Sequence, residues 1–440
     1  MNKNLVISAA LISGLALAQS TWPTAPTTDG KPKLLETHAM TGVSVANLAN
    51  PPYSLEKSTK NGLPNPNLVS FGSAIVWGNG NEFYGITDRG PNGDHKNAAG
   101  EVDGKLFPLP EFNPTIMRLA LDGASGLKML ETIPLVDSAG KGVSGLPNDK
   151  TDDIPFSEPA GDAKAIPFNP NGVDTEAIQR LPDGKFIFSE ENSPSVLIVS
   201  AKGEVLVRYT PANKKLEGAT YPVKNILPAV LSNRRSNRGF ENLALSKDGK
   251  TAFVIMQSSM GSTKDAQLEA SKVVRAIKLD LSDPLNAKVT GMYLVPTSPK
   301  ADYPATKNQR DLKYSEAVWI AQDKLLMLER AAKLVKLFVV DFAKASNILD
   351  RPEANNNALL FDRANTDLKL YGVEVPTREQ VFSSADLPQI DEEKLEGLAV
   401  LNSSVLALAH DNDFGIGDNT TNAPSKLWIV QLPKELPVSK

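Results

Sequence analysis

Glutamates recur along this chain at the head of short apolar runs, and a polar or acidic residue closes the run that follows each one. Glu176 opens TEAIQRL and Glu190 closes KFIFSE; Glu241 opens FENLAL and Gln257 closes TAFVIMQ. Glu316 opens SEAVWI and Glu329 closes KLLMLE, while Glu396 opens LEGLAV and His410 with Asp411 closes VLALAHD. Ser73 in GSAIVW and Asp88 in EFYGITD form a fifth pair of the same kind. Gathered carboxylates serve two chemistries: general acid–base catalysis and coordination of hard cations, which take six to eight oxygen ligands in the case of calcium. Arginines stand nearby, Arg89 in ITDRGPN and Arg234, Arg235 and Arg238 in SNRRSNRGFEN. Their guanidinium forks suit carboxylate or phosphate oxygens.

Such pairs act together only if the fold places their ends side by side, and turn chemistry does so. The midpoint between Glu176 and Glu190 falls in Pro182-Asp183-Gly184, a turn sequence, so the two flanking runs read as an antiparallel hairpin. The same symmetry centres Glu241 and Gln257 on Gly249, Glu316 and Glu329 on Gln322-Asp323, and Glu396 and Asp411 on Asn402-Ser403-Ser404. The stretch from Val173 to Thr210 extends to four strands, Thr175–Leu181, Lys185–Glu190, Ser195–Ser200 and Glu204–Thr210. Repetition of such a meander about an axis makes an all-β fold, a β-propeller of five or six four-stranded blades with long loop insertions. A sixth blade is a candidate between Asn347 and Gln389, from ALLFD and DLKLYGVEV. The last blade has KLWIVQL and then runs out of strands, so KLLETHAM or TGVSVANL from the N-terminus is expected to complete it. Ser138 to Gly172, rich in Gly, Pro and Asp, reads as a long functional loop.

In a propeller the first strand of each blade lines the axial channel, so Glu176, Glu241, Glu316 and Glu396 are expected to form an acidic ring. Their mutual repulsion calls for a cation, and calcium is the expected one. The ligand set then draws on Asp88, Glu241, Glu316, Glu396, Asp411 and Asp413, with Asp418 in the same DNDFGIGDN loop. Glu176, Glu190 and Glu329 are the candidate catalytic carboxylates, Glu190 or Glu329 as general base, and Arg89 and Arg238 the candidate substrate-binding groups. Zinc is disfavoured by the absence of cysteine and by three histidines, His38, His95 and His410, without ligand spacing. The competing reading is that the glutamates only close blade corners through backbone N–H groups, with arginines neutralising them. No nucleophile elbow, phosphate-binding P-loop or dinucleotide fingerprint is present.

The 440 residues, 41% hydrophobic and 22% charged, suffice for one large core, and the formal charge of −4 with no basic run interleaved with aromatics argues against a nucleic-acid partner. Residues 1–18 read as a signal peptide cleaved near Ala18, with an apolar run too short to span a bilayer. Residues 19–33 follow as a flexible segment and 34–434 as a single propeller domain. A secreted or periplasmic protein without a stable membrane anchor is expected, acting on a small anionic or ester substrate.

The motifs ITDRGPN, VDTEAIQRLPDGKFIFSEENSPSVLIVSAKGEVL, NRGFENLALSKDGKTAFVIMQ, EAVWIAQDKLLMLER and LEGLAVL followed by ALAHDNDF together resemble the bacterial "esterase-like activity of phytase" family, over about Leu68 to Leu432. The resemblance implies an exported β-propeller that hydrolyses ester or phosphate-ester substrates. It carries Asp88, Glu176, Glu190, Glu241, Glu329, Glu396 and Asp411, with Arg89 and Arg238. Gln257 and Ser73 depart from the acidic pattern, and the R-H-G-x-R-x-P motif of acid phosphatases is absent. Two alternatives accompany the hydrolase reading: a non-catalytic propeller whose loops from Ser138 to Gly172 hold a ligand or protein, and a lactone hydrolase.

Overall fold

Tight turns build the hairpins. At Pro182-Asp183-Gly184 the N–H of Leu181 donates to Lys185 O at 2.8 Å and that of Gly184 to Leu181 O at 2.9 Å. Asp183 Oδ1 accepts from the Lys185 N–H. Gly184 sits at φ 89°, a conformation only glycine adopts without strain. The runs on either side are β-branched and aromatic, and they pair antiparallel from Phe186 with Arg180 to Glu190 with Thr175.

The computed structural model describes residues 22–159, 163–390, 393–416 and 422–439. It shows five blades, numbered here in chain order. Blade 1 comprises Ala74–Asn79, Glu82–Ile86, Thr115–Asp122 and Gly126–Pro134. Blade 2 comprises Thr175–Arg180, Phe186–Glu190, Ser195–Val199 and Val205–Pro211, with Val223–Leu227 added in parallel at its outer edge. Blade 3 comprises Phe240–Leu245, Thr251–Met256, Val273–Asp280 and Lys288–Pro296. Blade 4 comprises Lys313–Ala321, Lys324–Ala331, Leu334–Asp341 and Thr377–Ser383. Blade 5 comprises Leu395–Asn402, Val405–His410 and Lys426–Gln431, and its fourth strand is Lys33–Ala39 from the other end of the sequence. KLLETHAM therefore closes the ring, whereas TGVSVANL forms a 3-10 turn at Val45–Leu48.

The first strands of the blades neighbour one another in a closed circuit, which leaves no place for a sixth blade. The segment considered for it forms 3-10 turns at Leu360–Asp362 and Leu368–Tyr371. Asp362 there pairs with the fully buried Arg275 of blade 3, so the insertion covers that blade instead of pairing as strands. Thr377–Ser383 is simply the outer strand of blade 4.

The core lies between blades. Leu328, Leu337, Leu398, Leu408 and Trp428 fill the space between blades 4 and 5, and Ile75, Phe83, Met117, Ala407 and Ile429 that between blades 5 and 1. Because inner strands are covered on both faces, they read as continuous apolar runs rather than alternating ones. At the blade 5 to blade 1 junction the backbones come so close that a Cβ on Gly72 would lie 2.1 Å from His410 O.

The described part of the 19–33 segment is held to blades 5 and 1. Thr27 N–H donates to Leu432 O, Gln431 Nε2 to Ala25 O, and Trp22 stacks edge-on to Trp77. The signal-peptide reading over residues 1–18 lies outside the described residues. A chain begun at Met40 leaves Lys426–Gln431 as an open sheet edge; its melting temperature is expected to fall well below that of a chain begun at Trp22, measured by circular dichroism, with association in light scattering.

Candidate functional site

Every blade except the first begins with an antiparallel hairpin that carries one extra residue near its axial end, and that bulge decides which side chains reach the axis. In blade 2, Thr175 pairs with Glu190 and Ala177 with Ser189, so Glu176 is the unpaired residue. Glu241 is bulged between Phe240 and Asn242, and Glu396 between Leu395 and Gly397. In blade 4 the bulge falls one residue earlier: Tyr314 pairs with Glu329 and Glu316 with Leu328, leaving Ser315 unpaired. Successive side chains on a strand face opposite ways, so this slip of one turns Glu316 off the channel. Its Oε1 accepts the N–H of its own neighbour Ala317 at 2.9 Å, and the backbone of Leu243 in blade 3 also bonds it. The expected ring is therefore three glutamates, Glu176, Glu241 and Glu396, with Ser315 in the fourth place.

The same alternation corrects the assignment of Glu190 and Glu329. Both face into their own blades and are fully buried. Glu190 pairs with Arg208 at 2.9 Å and accepts from Ser193 N–H and Ser195 Oγ. Glu329 pairs with Arg378 at 2.9 Å and accepts from Tyr303 Oη and Ser298 N–H. Neither lines the axial cavity, so neither is placed to serve as general base. The next residue along each strand faces the axis instead: Glu191 in blade 2, Gln257 in blade 3, Arg330 in blade 4 and Asp411 in blade 5. Two residues before each bulge, Asp174, Lys313 and Lys394 share that face, and Arg238 fills the place where blade 3 has Gly239. The second glutamate of FSEEN and the charges in VDTE, KYSE and KLE were the signals for these positions.

All of these except Arg330, which reaches Glu396, line a well of about 780 Å³. Strands Gly93–Lys96, Val102–Leu106 and Pro155–Phe156 form a small sheet from the insertions, and Lys96, Lys105 and Leu106 line one side of the well. The loop from Ser138 to Gly172 contributes Asp153, which contacts Arg89 Nη1 at 3.1 Å; of its residues, 160–162 lie outside those described. Blade 2 presents a wholly anionic wall, Asp174, Glu176 and Glu191, while blade 4 presents Lys313.

Ligand oxygens of Asp174, Glu176 and Glu191 lie within 4.8 Å of one another, and so do those of Glu176, Glu241 and Glu396. Glu176 is common to both groups. Glu191 Oε1 is buried without a hydrogen-bond partner, as is Asp174 Oδ2, which has only Arg89 Nε at 3.4 Å. Gln257 Nε2 donates to Glu241 Oε2 at 2.6 Å. Arg330 forms an ion pair with Glu396.

Of the other expected ligands, Asp88 lines the well and accepts from Gly90 N–H. Asp411 accepts from Ser70 Oγ and from Asp413 N–H, and Asp413 pairs with Lys394. These three sit toward blades 5 and 1, outside the two carboxylate groups within 4.8 Å. Asp418 lies outside the described residues. Arg89 is nearly buried and is occupied by Asp153, Asp174, Asn92 and Asn192, so it acts as an internal counter-ion. Arg238 lines the well and its Nη1 has no hydrogen-bond partner. His38, His95 and His410 lie in three separate places: against Glu36, stacked on Phe156, and beside Trp428.

Burial, then the neighbouring carboxylates, lifts Glu176, Glu191 and Asp88 well above the ordinary range. Burial also takes Glu396 to about 8, against the pull of Arg330. Burial acts to raise Asp411, but Lys394, the Ser70 hydroxyl and the Asp413 N–H outweigh it and hold its carboxyl low. Lys313 is brought down to about 7 by burial and by Arg238 and Arg330, whereas the carboxylates around Lys394 overcome burial and keep it an ammonium.

The family described as phytase-like, esterase-like activity of phytase, matches residues 68–414. An uncharacterized secreted protein of Arthroderma benhamiae is 26% identical over a stretch covering 38% of each chain, so the match spans well under half of that relative's length. Among solved structures, the PQQ-bound aldose sugar dehydrogenase of Streptomyces coelicolor shares 12% identity over 93% of this chain and 100% of its own, with a TM-score of 0.38. The major allergen Mala s 1 of Malassezia sympodialis shares 10% identity over 80% of this chain and 74% of its own, at 0.32. Likenesses this distant bear on neither chemistry nor substrate.

Two outcomes follow from the geometry. Glu190→Ala strands the buried Arg208 charge and is expected to lower stability by about 3–5 kcal/mol in urea unfolding, whereas Glu191→Gln, which removes one of several crowded carboxylates, is expected to raise the melting temperature in chelator at pH 8. The second concerns pH. Glu396 is raised in the folded state from 4.5 to about 8, so the folded chain binds the extra proton, and its stabilising share is complete below about 4.5 and is lost as pH rises through about 8. Glu176, Glu191 and Asp88 act in the same direction. Lys313 acts oppositely, its penalty easing as pH rises from about 7 toward 10.5. The melting temperature in chelator is expected to fall from pH 5 to 7, and to fall less steeply above pH 7, where Lys313 opposes the trend.

Proposed function

The chain belongs to the family described as esterase-like activity of phytase, and from that premise we propose that it is an exported hydrolase of ester or phosphate-ester substrates. It acts in the axial well with a hard divalent cation, calcium first among them. The observation that carries this reading is the polarity of the well, with Asp174, Glu176 and Glu191 on one wall and Lys313 and Arg238 on the other. Export is supported by the apolar N-terminal segment and by the fungal relative, which is described as secreted. Among the described residues no helix is long and apolar enough to cross a membrane.

The donor set fits calcium in kind: all oxygen, several carboxylates, two of their oxygens buried without hydrogen bonds. Carboxyl groups that burial drives toward the protonated form are also those for which a bound cation replaces a proton. Asp174, Glu176 and Glu191 would hold one such ion, and Glu176, Glu241 and Glu396 are the neighbouring set. A dication there supplies Lewis-acid polarisation of a carbonyl or phosphoryl oxygen. Arg238, with an unused N–H, faces the ester and stabilises negative charge developing on its oxygens. Gln257 orients Glu241 through its amide, and Asp411 and Asp413 hold Lys394 in place. The small inserted sheet beside the well restricts its opening to solvent.

The assay is release of p-nitrophenol from p-nitrophenyl phosphate and p-nitrophenyl acetate, with calcium or chelator present. Calcium-dependent turnover of one of them is expected, and Glu176→Gln is expected to reduce it at least about a hundredfold while the circular dichroism melt stays cooperative. Undiminished turnover in that variant would remove Glu176 from the site. A wild-type chain inert toward both esters would instead favour the ligand-binding propeller.

A further inference from the structure

Lys313 and Lys394 occupy the same place in consecutive blades, two residues before the bulge, yet their surroundings are opposite. Lys394 faces Asp411 and Asp413 and pairs with the latter. Lys313 lies directly across the strand pair from Arg330 and faces Arg238 from blade 3. Glu241 from blade 3, Glu191 from blade 2 and Lys394 from blade 5 are the other charged groups acting on it. It lines the well, and no hydrogen bond or ion pair to its amino group occurs among the described residues. Arg330 is committed to Glu396 and to Ser315 Oγ at 2.8 Å. The chain has thus placed an amine without a partner carboxylate between two guanidinium groups, in a cavity where water and substrate enter.

From this placement we propose that Lys313 is the general base of the hydrolase, taking the proton from the water that attacks the ester. The inference rests on the hydrolase reading given above. An ammonium between two permanent cations is disfavoured, so the side chain holds its lone pair near neutral pH, in keeping with its lowered proton affinity. A cation bound by the facing carboxylates adds like charge and acts in the same direction. The divergence between two equivalent lysines, one kept charged and one released, is the pattern by which acid and base roles are divided within a site. In the step itself, the Nζ lone pair accepts a proton from water as that O–H bond breaks, and the water oxygen bonds to the phosphoryl or acyl centre. The ester bond to the alcohol oxygen breaks, and the ammonium of Lys313 returns the proton to the departing alkoxide. Acid and alcohol leave, and the amine is restored.

Two measurements test it. Trace acetylation of the wild-type chain by acetic anhydride across pH 5–10, read at Lys313 by mass spectrometry, needs no turnover. Its labelling is expected to rise with a midpoint near 7. On whichever p-nitrophenyl ester the wild type cleaves, Lys313→Met and Lys313→Arg are each expected to lower kcat/KM by about 10²–10⁴-fold and to lose the acid limb of the pH profile, and added ethylamine is expected to restore part of the rate to Lys313→Ala. Lys313→Met removes a repelled charge, so its melting temperature is expected to match or exceed the wild type. A labelling midpoint well above 8 overturns the inference, as does a variant that keeps the rate and the acid limb. If labelling is centred near 7 and neither ester is cleaved, the hydrolase reading has failed and the base role with it. If an ester is cleaved but the variants are unaffected, only the base role has failed.

Discussion

The register of five hairpins at one end of the propeller governs everything described at its axis. Strand side chains alternate, so each residue near the axial end either enters the well or is sealed into its blade, and one extra residue in a strand exchanges the two sets. Closing the ring of blades then forces the inward set together regardless of charge. Glu176, Glu241 and Glu396 meet because each occupies the bulge of its blade. Glu316 is absent from their company because its blade bulges at Ser315.

Two treatments of buried charge result from that division. Inside the blades Glu190 pairs with Arg208, Glu329 with Arg378 and Arg275 with Asp362, while Glu316 is held by backbone N–H groups alone. Such pairs repay part of their desolvation cost through several hydrogen bonds and lock side chains whose loss would leave an unpaired charge. In the well the matching is incomplete: acids crowd the blade 2 wall, and Lys313 stands beside arginines rather than carboxylates. Incomplete neutralisation costs folding stability, and it is the pattern expected where a ligand supplies the missing charge.

Much of this was legible from residue order. Turn residues at regular intervals between apolar runs identify hairpins, and the hairpin midpoints place Glu241 beside Gln257 and Glu396 beside Asp411, as the structure does. The propeller and the axial position of the first strands follow from repetition, and the short last blade calls for an N-terminal strand, KLLETHAM or TGVSVANL, of which the structure uses the former. Less legible was the segment after Asn347, where apolar residues that could form a strand instead cover blade 3 around the Arg275–Asp362 pair. Short apolar runs carry no periodicity that separates a strand from a covering loop.

The sequence by itself determined the repeating hairpins, the clustering of acids at their ends and the kinship with a phytase-like family, because turn chemistry and hydrophobic pattern act over a few neighbouring residues. Only the tertiary structure decided which acid of each pair faces the axis. A bulge leaves no mark in composition, and a shift of one position, invisible in the pattern of apolar residues, seals Glu329 inside a blade with Arg378 and turns Arg330 toward the axial Glu396. It likewise decided that two lysines in equivalent places differ in character, since the charges that distinguish them come from neighbouring blades far away along the chain.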